Sequence, residues 1–116
     1  MAMNRKYMRC PPNLSLIEAA KLVVGVGRKN LIVVNKNDKV LGTVSSSDIL
    51  KHLIHNQSSF NTDLIEDVMT SNFIFLRENC SKQQIIDTFN EHSIFYIPII
   101  NDEGILKDMK FLTDFL

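Results

Sequence analysis

The chain has 116 residues, of which 45% are apolar and 22% charged, and its 13 basic and 13 acidic side chains give a formal net charge of zero. That length suffices for one ordinary domain with a packed core, and the composition excludes a disordered segment. Balanced, scattered charge leaves no electrostatic footprint for nucleic acid or an acidic membrane surface, and no apolar run approaches the roughly 20 residues that a membrane span needs.

Taken in chain order, "KYMRC" (6–10) reads as a short strand. Ser15 and Glu18 follow with the spacing of a capping box, in which the hydroxyl accepts an amide one turn ahead and the acid reaches back. Leu16, Ala19, Ala20 and Val23 then share one face of an amphipathic helix. "NLIVVN" (30–35) is a buried-strand run, "NKND" (35–38) a turn, and a further strand leads to "GTVSSSDIL" (42–50). After Asp48, the i,i+4 pairs Ile49/Leu53 and Leu50/Ile54 predict a helix to about His55. "NQSSFNTD" reads as a polar linker, and "DLIEDVMT" (63–70) as a short helix.

The pattern then repeats. A shift of 66 positions lays residues 3–50 on 69–116 without a gap, with identities at Met3/Met69, Asn13/Asn79, Ser15/Ser81, Asn35/Asn101, Asp48/Asp114 and Leu50/Leu116. In the second copy "NFIFL" (72–76) is the first strand, and Ser81 and Gln84 form the cap. Ile85, Ile86 and Phe89 make the helix face, "IFYIPII" (94–100) is the buried strand, and "NDEG" (101–104) is the turn. Each copy is therefore β-α-β-β-α. Neither buries both faces of its small sheet alone, so the two are expected to pack through their strands. The second copy reaches Leu116 where its closing helix should begin, which suggests a fragment of a longer protein. Two cysteines, Cys10 and Cys80, point to a reducing compartment, with the cytoplasm as the default location, and to no disulfide framework.

The blocks "LIVVNKNDKVLGTVSSSDIL", "EDVMT" and "IPIINDEGIL" together resemble a tandem pair of CBS domains, the regulatory unit called a Bateman module. The resemblance covers essentially residues 3–116. It implies a mixed α/β (α+β) fold of two repeats packed as a pseudo-two-fold pair, with repeat 1 at 3–55, a linker at 56–62 and repeat 2 at 63–116. A narrower likeness, in "GTVSSSDI" and "KFLTDFL", is to the CBS pair preceding the catalytic domain of some bacterial sugar-phosphate nucleotidyltransferases.

CBS pairs commonly bind AMP, ADP, ATP or S-adenosylmethionine in clefts between the two domains, and they often form flat homodimers through their helices. The family turn is Gly, two apolar residues, Ser or Thr, two variable residues and Asp. Gly42, Thr43, Val44, Ser45 and Asp48 match it, Thr43 most loosely. The carboxylate of Asp48 suits a ribose cis-diol, Ser45 suits a phosphate or ribose oxygen, and Gly42 lets backbone approach a ligand. The competing reading is local, because Ser45 and Asp48 are also an N-capping pair.

In the second copy Asp108 replaces the glycine and Lys110 an apolar residue. Phe111 stands where Ser or Thr is expected, and Asp114 alone is retained. By resemblance adenine would lie against backbone near Asn30, Leu31 and Ile32, and near Tyr96, Ile97 and Pro98, with Arg28 and Lys29 available to balance phosphate. Pro98 cannot donate to a ladder and marks an edge or bulge.

His52 and His55 lie one helical turn apart without a third metal ligand, and neither cysteine has an activating histidine nearby. No motif supports catalysis. Two readings remain open: a regulatory module for an adenosine compound, controlling an attached catalytic domain, or a ligand-free dimerisation module with decayed sites.

Overall fold

The structure, a computed structural model, describes residues 7–24 and 30–115. The elements follow the repeat. The first copy holds β1 (Tyr7–Cys10), α1 (Leu16–Val23), β2 (Asn30–Val34), β3 (Val40–Val44) and α2 (Ser46–His55). The second holds β4 (Leu76–Arg77), α3 (Lys82–His92), β5 (Tyr96–Ile100) and β6 (Leu106–Phe111), closed by a 3₁₀ turn at Leu112–Phe115. Each copy forms one three-stranded sheet with its buried-strand run in the centre, ordered β1-β2-β3 and β4-β5-β6.

The chain divides into two compact units, one of Met1–Asn37 with Leu41–Phe73 and the other of Asp38–Val40 with Ile74–Leu116. In the first unit the crossover through α1 makes β1 and β2 parallel, with Tyr7 opposite Asn30 and Cys10 opposite Val33. Alternation along the strand places Leu31 and Val33 on the face under α1. There they join Leu16, Ala19, Val23, Val44, Ile49 and Ile65 in one core, with Phe60, Val68 and Met69 packed against it. In the second unit Ile85, Phe89, Ile97 and Ile99 form the corresponding core. Ile86 is only half-buried.

Chain reversal after each central strand uses the same device. Asn35 Oδ1 accepts from Asn37 N and Asn101 Oδ1 from Glu103 N, both at 2.9 Å. Three residues after each asparagine the backbone is left-handed, at Asp38 (φ 67°) and Gly104 (φ 83°). An Asx turn supplies the local bond that lets an asparagine or aspartate hold such a corner.

Several sequence expectations are revised. "NFIFL" yields a strand only at its last residue, since β4 spans Leu76–Arg77 and pairs just with Ile99 and Ile100. The helix expected over 63–70 is a single 3₁₀ turn, Ile65–Asp67. Beyond it Thr70 forms an antiparallel bridge with Thr43, so this stretch is captured as an added edge instead of continuing a helix. The polar linker contains a 3₁₀ turn at Gln57–Ser59, and its one aromatic, Phe60, packs on the core. Ser81 and Gln84 make a full capping box, with Ser81 N to Gln84 Oε1 at 2.7 Å and Gln84 N to Ser81 Oγ at 3.1 Å. At α1 Ser15 accepts from Glu18 N, but the Glu18 carboxylate turns instead to Lys21.

Candidate functional site

The turn from β3 into α2 gathers most of the residues singled out in the first copy. Ser45 is the N-cap of α2, and its pairing with Asp48 is reciprocal. Asp48 N donates to Ser45 Oγ at 3.2 Å, while Ser45 N and the Ser45 hydroxyl both donate to Asp48 Oδ2, at 2.9 and 3.0 Å. One carboxylate oxygen is thus committed to holding the helix start. Among the described residues the other, Oδ1, meets a long contact from the Thr70 hydroxyl at 3.4 Å. Asp48 therefore caps with one oxygen and keeps acceptor capacity on the second, so the local and ligand-binding readings do not compete for the same lone pairs.

Thr70 was not singled out from the sequence, although the "EDVMT" block containing it was. Its backbone pairs with Thr43, with Thr43 N to Thr70 O at 3.1 Å and Thr70 N to Thr43 O at 2.8 Å. The pairing brings the Thr70 hydroxyl to Asp48 beside that of Ser45, all three residues being half-buried. A threonine at the end of a short apolar segment, without helix period, was the available signal.

Gly42 is packed closely against the chain itself. A Cβ added there would lie 2.9 Å from Thr70 O and 2.9 Å from Met69 Sδ. The backbone that comes close to Gly42 is the chain's own, and the absence of a side chain admits the Met69–Thr70 segment.

Leu31 and Ile32 are wholly buried in a central strand, with side chains on opposite faces of the sheet. Neither side chain is free to contact a solute, and only their backbone could. Asn30, half-buried at the strand start, is the most accessible of the three. Arg28 and Lys29 lie outside the described residues.

The second copy carries the same frame with altered chemistry. Phe111 N donates to Asp114 Oδ2 at 3.0 Å, the equivalent of the Ser45 N to Asp48 bond. Asp114 is exposed. Phe111 stands opposite Tyr96 across the β5–β6 pair, with ring centroids 6.4 Å apart. Asp108 is occupied locally, by Met109 N at 2.7 Å and by Lys110 Nζ at 3.2 Å. Ile97 is fully buried in the core. Pro98 sits in a central strand, yet β4 is too short to flank it, so its missing N–H breaks no ladder. The irregularity falls one step later: Ile99 pairs with Asp108 and Ile100 with Leu106, leaving Lys107 over as a bulge.

Of the remaining candidates, His52 is fixed by Asp63, with Nε2 2.6 Å from Oδ2, and not by His55. Ser59 donates to the same oxygen at 2.8 Å. These two hydrogen bonds hold the Asp63 carboxyl below the usual carboxylate range, that from His52 being the larger. Cys10 and Cys80 are free thiols, and burial pushes the Cys10 thiol up. Among the described residues no group of three His, Cys, Asp or Glu side chains could hold a metal ion, and no helix is long and apolar enough to cross a membrane.

The CBS-domain profile matches residues 1–55 and 65–107. The chain belongs to the CBS-domain family. CBS domains are regulatory modules and not catalytic ones, and the pair of small mixed sheets is the architecture of solved CBS pairs. The chain is 29% identical over 90 residues to L-aspartate semialdehyde sulfurtransferase of Methanocaldococcus jannaschii, covering 78% of this chain and 17% of that protein. The CBS domain pair of protein MJ0100, solved with 5′-methylthioadenosine and S-adenosyl-L-methionine, superposes with a TM-score of 0.76 at 24% identity. That match covers 97% of this chain and 86% of the other. CBSX2 in complex with AMP gives a TM-score of 0.78 at 21% identity, covering 92% and 82%. The chain spans less than half the length of the curated relatives it matches first.

Proposed function

We propose that this chain is a regulatory module that binds an adenosine compound at the turn between β3 and α2 of its first repeat. The observation that carries the reading is the division of labour at Asp48, where Oδ2 holds the cap with Ser45 and Oδ1 keeps an acceptor facing the Thr70 hydroxyl. A ribose hydroxyl donating to Oδ1 would make a charge-assisted bond. Solved CBS pairs of the same fold hold AMP, 5′-methylthioadenosine or S-adenosyl-L-methionine, which supports the ligand class. The second repeat, with Phe111 in the place of a hydroxyl and Asp114 used as a cap, is the weaker binder.

The residue boundaries we assign are 3–55 for the first repeat and 63–116 for the second. The ligand would act on a covalently attached domain through unequal affinity for two arrangements of the module. Micromolar binding corresponds to about 8 kcal/mol, ample to bias a balanced equilibrium when most of it is specific to one state. The effector to which the sequence resemblance points is a sugar-phosphate nucleotidyltransferase, and the setting is the cytoplasm.

A second reading rests on α2, where Leu50 (58%), Leu53 (37%) and Ile54 (59%) are exposed on one helix of ten residues. Spaced i, i+3, i+4, they form an apolar stripe suited to a twin helix in a homodimer. On that reading the module is a ligand-free dimerisation unit.

Thermal melts with millimolar AMP, ADP, ATP and S-adenosylmethionine separate the two. A ligand at 100 times its Kd adds about 2.7 kcal/mol. We expect one of the four to raise Tm in the wild type and to lose that effect in Asp48→Asn. No shift with any of the four, together with a dimer that Leu50→Ser breaks, would establish the second reading.

A further inference from the structure

The strand ends opposite the Asp48 turn hold a second feature. A cavity of about 690 Å³ lies beyond the carboxyl ends of the parallel β1–β2 pair, lined by Arg9, Cys10, Pro11, Pro12 and Asn13 on one side and Val34, Asn35, Lys36 and Asn37 on the other. Val34, the last residue of β2, lines it four positions after Asn30, about 13 Å away at the rise of a strand, so the two places are distinct.

The 66-residue shift carries this cavity onto another in the second unit, of about 500 Å³, lined by Arg77, Glu78, Asn79, Asn101, Asp102 and Glu103. Asn13/Asn79 and Asn35/Asn101, two of the identities of the repeat, line both. The lining positions are shared and the charge is reversed. The first lining carries two cations and no acid; Asp38 and Glu66, adjacent in the chain or by hydrogen bond, stay outside it. The second carries three acids against one cation, Arg77, which bonds to Asn101 O at 3.2 Å and Asp102 Oδ1 at 3.4 Å, while Arg9 in the first lies over the Tyr7 ring at 6.0 Å.

The walls of the first cavity are held in advance. Leu14 N donates to Pro11 O at 3.1 Å, Glu66 N to Pro12 O at 3.2 Å and Ile65 N to Leu14 O at 2.8 Å, and two prolines stiffen the rim. Opposite them, the Asx turn fixes Asn35 to Asn37. Preorganised walls lower the ordering cost of binding. Two cations with carboxamide N–H donors on a rigid frame match a phosphate group.

We infer that the first repeat carries a binding site for a small phosphate-bearing anion between Arg9 and Lys36, separate from the adenosine site, and that the second repeat lacks its counterpart. Binding is read from amide shifts in a two-dimensional nitrogen–proton spectrum of the chain titrated with sodium phosphate. Ionic strength is held near 0.1 M, where exposed charges are screened over about 10 Å. The amides of Asn13 and Asn35 to Asn37 should shift saturably with a Kd near 1 mM, about 4 kcal/mol, while Asn101 to Glu103 stay still. Lys36→Glu, in an exposed turn, should weaken binding at least tenfold, and Arg9→Gln should weaken it without reversing charge.

A parallel titration with glycerol 3-phosphate distinguishes the source. Tenfold tighter binding than inorganic phosphate marks an organic phosphate ligand, and equal binding marks free phosphate. Non-saturating shifts, shifts of equal size at Asn101 to Glu103, or an unchanged Kd in Lys36→Glu overturn the inference. AMP shifts at Thr43 to Asp48 are read in the same spectra, so failure of one site is distinguishable from failure of the other.

Discussion

Gly42→Ala tests whether the glycine serves the fold or a ligand. The added methyl would sit 2.9 Å from Thr70 O, a backbone atom, and 2.9 Å from Met69 Sδ, the movable end of a flexible side chain. Met69 can swing aside at small cost. Thr70 O cannot, because it accepts from Thr43 N at 3.1 Å while Thr70 N donates back to Thr43 O at 2.8 Å. Forcing a methyl into such a contact costs about 1–3 kcal/mol. With an unfolding entropy of about 2.1 cal/mol/K per residue, each kcal/mol lowers Tm by about 4 °C for a chain of this length. A far-ultraviolet circular dichroism melt without ligand should therefore show Gly42→Ala lower by about 4–12 °C. A melt unchanged within a degree, combined with lost AMP binding, would refute the packing account and return Gly42 to the ligand.

Asp63 couples stability to pH. Its folded-state pKa lies below the unfolded value of about 3.9, so its stabilisation is complete above that value and fades as pH falls through the folded one. Urea midpoints from pH 6 down to pH 3 should fall less steeply in Asp63→Asn than in the wild type, and parallel curves would remove Asp63 from the acid response. Removing the shared cap should be unequal between repeats: Asp48→Ala is expected to cost about 1 kcal/mol through loss of the capping box, and Asp114→Ala, exposed beside a 3₁₀ turn, less than half of that by the same melt. Cys10, buried with a raised thiol pKa, should react with iodoacetamide far more slowly than half-exposed Cys80, as peptide mass mapping would show.

The hydrophobic period was the most legible part of the fold. Leu16, Ala19 and Val23 on α1, and Leu31 and Val33 on β2, are buried where their spacing places them, because burial of one face dictates both periods. Cap signals were legible too, since Ser45/Asp48 and Ser81/Gln84 need only three residues of context. Segments decided by long-range pairing were not. "EDVMT" has helix-forming residues, yet its end is taken by Thr43, which is 27 positions earlier in the chain. "NFIFL" has strand composition and finds a partner only at Leu76. At the candidate site the sequence displayed Ser45 and Asp48 but hid which oxygen each bond uses, and it gave no sign that Gly42 faces Thr70.

The retained aspartates carry a lesson for reading descent. Asp114 keeps the backbone bond that Asp48 also makes, although its surroundings have lost the glycine and the hydroxyl. A cap at a helical turn is reason enough for an aspartate at this position, whether or not a solute is bound beside it. An aspartate at this position is therefore not by itself a sign of a bound metabolite. The neighbouring hydroxyl, present at Ser45 and replaced at Phe111, is the more discriminating marker.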